Sequence, residues 1–200
     1  MKIKYHRQIV DMLYEEWDLG KKNSNAKGKT CAWIYWFEIL SDAEQIVIEK
    51  DNDKIIGLCA YSKWNSKKHF IRKKYYSILR KILINSPLIK NKKAIYEYSE
   101  GYDYLPKEFN GYFDGEMNIL IVDRSYRGKK IGTKLLNKIF ELAHRDNMKN
   151  IHILSDESCN YKFYEDFGCK KVYEKIIPNN EPYICGDTPF RKGFVYEKRF

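Results

Sequence analysis

Arg127, Gly128, Lys129, Lys130, Ile131 and Gly132 stand in a row between an apolar run and an amphipathic segment. That placement carries a chemistry. Ile119, Leu120, Ile121 and Val122 form the short apolar run a buried strand makes, and Asp123 and Ser125 mark the turn out of it. Ile131, Leu135, Leu136, Ile139 and Leu142 then recur at helical spacing, so a helix opening in the loop buries one face. The first backbone N–H groups of such a helix have no intrahelical partner and lie at the positive end of its dipole. With Arg127, Lys129 and Lys130 beside them, those donors suit a pyrophosphate. Gly128 and Gly132 let the backbone approach it without a side chain in the way. Two better-known phosphate loops are absent: the stretch contains neither G-x-x-x-x-G-K-[ST] nor G-x-G-x-x-G. Further on, Asn160 to Gly168 gathers Tyr161, Phe163, Tyr164 and Phe167 around Glu165 and Asp166.

The loop resembles the acyl-CoA loop of the GCN5-related N-acetyltransferase (GNAT) superfamily, [R/Q]-x-x-G-x-[G/A]. Arg127 and Gly132 match its ends, and the surrounding Val122, Asp123 and Tyr126 to Lys129 fit the family closely. Lys130 takes the place of the middle glycine, which requires it to hold a backbone angle an L-residue tolerates. Phe163, Tyr164, Glu165 and Gly168 resemble the superfamily's second motif, F-Y-E-x-x-G-F, with Cys169 replacing the final aromatic. The asparagine often found seven residues before that tyrosine is here Glu157, and Asn160 lies one helical turn away.

The resemblance implies an N-acetyltransferase with acetyl-CoA as co-substrate and no metal. It assigns the cofactor to Arg127, Gly128, Lys129, Lys130, Ile131, Gly132 and Thr133, with Asn160 as a further contact. Backbone groups at Leu120 and Val122 would pair with the pantetheine arm where two strands splay apart, and would polarise the thioester oxygen. A neutral amine attacks the thioester carbonyl and CoA leaves as a thiolate. The resemblance makes Tyr164 the phenol that protonates the sulfur, and either Glu116, near the start of the strand, or a water chain the base that frees the amine.

Two hundred residues make one domain, or one domain with an insertion, and suffice for a core without staples. The hydrophobic fraction of 44% excludes a disordered chain. No apolar run reaches membrane-spanning length, and the N-terminal stretch lacks a signal-peptide core. The five cysteines form no C-x-x-C pair, and the four histidines show no metal-ligand spacing. Cys159, just before the second motif, reads as a small buried residue. A chain in a reducing cytoplasm is the simplest expectation.

In chain order the pattern predicts a first helix through Ile9, Val10, Leu13 and Trp17, then a polar loop over Gly20 to Lys29. A second short helix follows, with Trp33, Trp36, Phe37 and Leu40 as a core-facing aromatic side. Gln45 to Lys50 and Lys54 to Ser62 read as a hairpin turned by Asp51, Asn52 and Asp53. Lys67 to Ile84 reads as a helix with Ile71, Tyr75, Ile78, Leu79 and Ile82 on one face. Short strands over Ile151 to Leu154, Val172 to Ile177 and Phe194 to Phe200 complete the chain. The fold expected is a mixed α/β GNAT acyl-CoA N-acyltransferase domain over residues 1–200, a twisted, mostly antiparallel central sheet flanked by helices. An insertion occupies about 63–111.

The insertion divides the charge. Eleven of the bases behind the net charge of +10 lie between Lys63 and Lys93, without one Asp or Glu among them. Tyr96 to Glu116 carries six acids against one lysine, interleaved with aromatics. The acidic stretch suits a cationic acceptor, a small molecule or peptide amine; its alternative role is to neutralise the basic helix. The basic stretch leaves a second function open, a nucleic-acid or acidic-surface binding module or a CoA sensor without turnover, with nucleic acid the less favoured partner. No membrane partner is expected, and the sequence is compatible with a monomer and with a homodimer.

Overall fold

In a computed structural model the described residues are 3–17, 19, 25–89, 105–178 and 190–200. Six strands pair in the order β1-β2-β3-β4-β6-β5. Strands β1 (Gln45–Asp51) and β2 (Lys54–Lys63) form the expected hairpin, and Asn52 supplies the positive φ (51°) its tight turn needs. Strand β2 pairs antiparallel with β3 (Gly115–Val122), and β4 (Asn150–Asp156) and β5 (Lys170–Pro178) both pair antiparallel with β6 (Phe190–Arg199). The one parallel contact, β3 with β4, is confined to Glu116↔His152 and Met117↔Ile153. Beyond those residues the two strands part, as the sequence led us to expect.

Helices α1 (Ile3–Glu16) and α2 (Asn25–Asp42) cover one face of the sheet. Helix α4 (Ile131–Arg145) covers the other, where Leu135, Leu136 and Ile139 are fully buried against Tyr61, Met117 and Ile153. Helix α2 starts at Asn25, inside the expected polar loop, and runs to Asp42. Residues 20–24 of that loop lie outside the described residues. The aromatic side of α2 is core: Trp36 is fully buried and its indole N–H donates to His6 Nδ1 at 2.8 Å.

A bulge divides the faces of β3. Ala60 pairs with Ile119 and Tyr61 with Met117, leaving Asn118 as the extra residue. Met117 therefore packs on the α4 side, whereas Ile119 and Ile121 pack on the α1–α2 side. Leu120 and Val122 point toward α4, and Glu116 points toward α2.

The apolar face of helix α3 (Phe70–Ile84) is turned outward: Ile71 is 84% exposed and Ile82 59%. Three of its bases turn in. Arg80 bonds Glu38 at 2.8 Å, Lys73 lies 3.5 Å from the buried Glu44, and Arg72 donates to the carbonyl of Ala43. The acids that neutralise this helix thus come from α2 and the residues after it. Glu97, Glu100 and Asp103, of the acidic stretch, lie outside the described residues. Among the described residues no helix is long and apolar enough to cross a membrane.

Candidate active site

The parting of β3 and β4 opens a cavity of about 450 Å³ through the sheet. Its walls come from β3 and β4, from Trp17 after α1, from Tyr35, Glu38 and Asp42 of α2, from Trp64 after β2, and from Cys159 and Tyr164. Trp17 and Tyr35 meet edge to face at 4.5 Å between ring centroids. Glu38, Asp42 and Glu116 line the cavity, and among the described lining residues there is no lysine or arginine. Within a chain of net charge +10 this is a local anionic field.

At one end of the opening lies the basic loop. Asp123 accepts from the backbone N–H of Ser125 at 2.9 Å and closes a 3-10 turn over Arg124–Tyr126. Gly128 has φ +77°, and Lys130, in the place of the superfamily's middle glycine, has φ +59° and ψ 19°. The departure is thus accommodated in the left-handed region, which costs an L-residue roughly 1–2 kcal/mol. Lys130 stands at the N-terminus of α4 and no side chain caps that end. A Cβ on Gly132 would meet Phe163 at 3.6 Å and Val122 at 3.8 Å, so this glycine sits where the loop, β3 and the second motif converge. Arg127 and Arg124 both close on Glu16 of α1; the Arg124 backbone N–H donates to Glu16 Oε1 at 2.9 Å. Lys129 Nζ lies over the Tyr126 ring at 4.5 Å. Lys129 and Lys130 are exposed, and Ile131 packs on the α4-side core.

Tyr164 stands in a 3-10 helix over Tyr161–Phe167 ended by Gly168 at φ +70°. The Cys169 N–H returns to the Tyr164 carbonyl at 3.2 Å and fixes the turn. The Tyr164 ring packs 5.8 Å from that of Tyr196. Burial pushes its phenol above the ordinary tyrosine range, so it stays protonated and able to donate.

Glu116 and His152 line the opening and form the first of the two paired positions of β3 and β4. His152 Nδ1 lies 3.1 Å from the Gly115 carbonyl, which can only accept, so Nδ1 carries the proton. Nε2 then faces Glu116 Oε2 at 3.9 Å. The rings of Trp64 and Phe113, at 5.4 and 5.1 Å, hold the imidazole. Burial lowers its pKa to about 4.

A family model described as an acetyltransferase (GNAT) domain matches residues 94–170, a span that takes in β3, the basic loop, α4, β4 and Tyr164. That stretch is similar to a GNAT domain. Solved structures share its fold over the whole chain at low identity. PH1933 from Pyrococcus horikoshii OT3 is 18% identical, covers 100% of this chain and 93% of its own, and has a TM-score of 0.59. An aminoglycoside 6'-N-acetyltransferase solved with coenzyme A is 15% identical, with 99% and 92% covered and a TM-score of 0.55. An N-acetyltransferase from Staphylococcus aureus Mu50 is 13% identical, with 100% and 94% covered and a TM-score of 0.54. No curated protein matches the sequence.

Of the expected site residues, the fold brings Glu116, Leu120 and Tyr164 into one cavity and sets Val122 and Gly132 beside Phe163. Asn160 is exposed and uses its carbonyl to start the 3-10 helix, accepting from Phe163 N–H at 3.1 Å. Glu157 is engaged elsewhere, accepting from Lys192 N–H at 2.8 Å. Cys159, expected to be buried, is exposed on the cavity wall. The lining residues that escaped the sequence reading include Tyr35, Glu38, Asp42, Trp64, His152 and Asn118. Asn118 donates to Ser62 Oγ at 3.4 Å, and its buried Oδ1 has no hydrogen-bond partner among the described residues. A polar residue inside the run Met117 to Val122 was the signal for that bulge. Tyr35 was hidden within an aromatic cluster that is otherwise core.

Proposed function

We propose that the protein is an acyl-CoA-dependent N-acyltransferase that moves an acetyl group from acetyl-CoA directly to a primary amine. The observation that carries this reading is the split between β3 and β4, with the glycine-bearing basic loop at one end and Glu116 and Tyr164 inside. Diphosphate charge meets the uncapped N-terminus of α4 together with Lys129 and Lys130. The pantetheine arm pairs with the backbone of Leu120 and Val122, which β4 leaves open on that side. Glu116 takes the proton of the incoming ammonium, and Tyr164 protonates the departing sulfur. CoA bound to a structural neighbour supports the cofactor.

The acceptor is a small cationic amine. Its field comes from Glu38, Asp42 and Glu116, and its aromatic walls from Trp17, Tyr35 and Trp64. Of the acidic stretch Tyr96 to Glu116, Leu105 and Glu116 line the cavity among the described residues. Asp114 instead accepts from Lys149 N–H at 2.6 Å. A thiol-release assay with acetyl-CoA against polyamines, aminoglycosides, amino acids and peptide N-termini tests the reading. Release should require an amine. It should be lost in Gly132→Glu, which sets a carboxylate at the phosphate end, and fall about 10²-fold or more in Tyr164→Phe. Absence of release with every amine, or full turnover by Tyr164→Phe, overturns it.

A further inference from the structure

Helix α3 turns an apolar face to solvent. Ile71, Tyr75, Ile78 and Ile82 recur at spacings of three and four, so they line one side of the helix, and all four are exposed. The opposite side imposes that exposure. Arg72, Lys73 and Arg80 are held by the Ala43 carbonyl, Glu44 and Glu38, so the helix cannot roll its stripe inward without drawing Lys73 and Arg80 from their carboxylates. Lys74 and Lys81 follow Ile71 and Ile78 by three residues each and run as an exposed row along the edge of the stripe. Lys67 is exposed just before the helix. No Asp or Glu occurs from Lys63 to Lys93. The face is thus apolar along its ridge and cationic along its edge.

We infer that this face lays the protein on an anionic lipid surface. The charge selects an anionic occupant. A second copy brings the same acid-free basic segment, so a contact between two stripes sets like charges together. Nucleic acid would satisfy the lysines but offers Ile71, Ile78 and Ile82 no apolar layer. The shape then selects a bilayer over an acidic protein. Ile71 at 84% and Phe70 at 66% exposure stand clear of their neighbours as a ridge, whereas a partner helix docks into a groove. A bilayer interface needs no matching shape. It takes a convex helix lying in its plane, with the isoleucines at the acyl boundary, Tyr75 at headgroup level, and Lys74 and Lys81 against lipid phosphates. Lying on a surface needs no helix long enough to cross it, and none is present among the described residues. The helix is already braced on α2, so binding does not have to order it. The docked face lies one helix from the cavity, because Glu38 both bonds Arg80 and lines the opening.

The test is flotation of the full chain with vesicles of phosphatidylcholine and with vesicles of phosphatidylcholine and phosphatidylglycerol in equal amounts. The protein should partition onto the anionic vesicles about tenfold or more strongly than onto the neutral ones. Raising the salt from about 0.1 M to about 1 M should remove most of that preference. Ile78→Ser with Ile82→Ser should weaken binding about tenfold or more, and Lys74→Gln with Lys81→Gln should cut the anionic preference by a similar factor. Circular dichroism and the denaturation midpoint check that both variants stay folded. Absence of binding to the anionic vesicles overturns the inference, and so does parent-like binding by either variant. A concentration-dependent doubling of mass that the isoleucine variant loses, without vesicle binding, would assign the face to a second copy. Retention on polyglutamate without vesicle binding would assign it to an acidic protein. Either result overturns the inference. Thiol release in solution should be unchanged in both variants, so its failure and the failure of vesicle binding are distinct.

Discussion

Helices α3 and α4 carry the same kind of apolar stripe, and the protein uses them in opposite ways. Helix α4 buries Leu135, Leu136, Ile139 and Phe140 under the sheet and offers its N-terminus to the basic loop. Helix α3 leaves Ile71, Tyr75, Ile78 and Ile82 in solvent and packs its bases on α2. Periodicity identifies a face but does not say which face is buried. Here the deciding groups belong to another segment. Glu44 is fully buried and Glu38 mostly so, and both need cations. Satisfying them fixes how α3 lies, at the expense of its stripe.

The largest effect should come from the α4 side. Leu136→Ala empties a fully buried position and should cost about 2–5 kcal/mol in chemical denaturation. A loss under about 1 kcal/mol would mean that α4 is not the packed helix described.

Acid should act next, at the opening between β3 and β4. The folded pKa of His152 lies at about 4, below its ordinary 6.5, so the unfolded chain binds the proton first. The stability this group contributes is present above pH 6.5 and is lost as pH falls toward 4, up to about 3 kcal/mol. A stability profile of His152→Gln should be flatter over that window; an unchanged profile would assign the acid sensitivity to other groups.

On the α3 side, Glu44→Gln removes the anion that Lys73 and Lys68 face and should cost about 1–3 kcal/mol. High salt should leave this loss largely intact, because the carboxylate is buried. The smallest effect should be that of Ile78→Ser with Ile82→Ser, each within about 0.5 kcal/mol by thermal or chemical unfolding. Losses matching that of Leu136→Ala would show that the stripe is covered in solution, and the contrast between the helices would fail.

Part of the candidate site's layout was legible in the residues. Arg127 to Gly132 between an apolar run and an amphipathic helix signals a phosphate loop, because glycines, cations and a helix start are local features. The hairpin turn at Asn52 and the helix end at Gly168 are equally local. The left-handed Lys130 followed from its place in the motif. Other parts depend on residues brought together from afar. Tyr35 and Glu38 meet Glu116 only because α2 lies across the opening, and the bulge at Asn118 turns Glu116 toward them. His152 sits beside Glu116 only through the short parallel pairing of β3 with β4. The sequence by itself determined the elements, the basic loop and the buried stripe of α4, since each depends on neighbours within a few turns. The tertiary structure decided the acceptor side of the cavity, the partner of Glu116 and the orientation of α3, because desolvated charges and strand pairing act between segments that no local pattern connects.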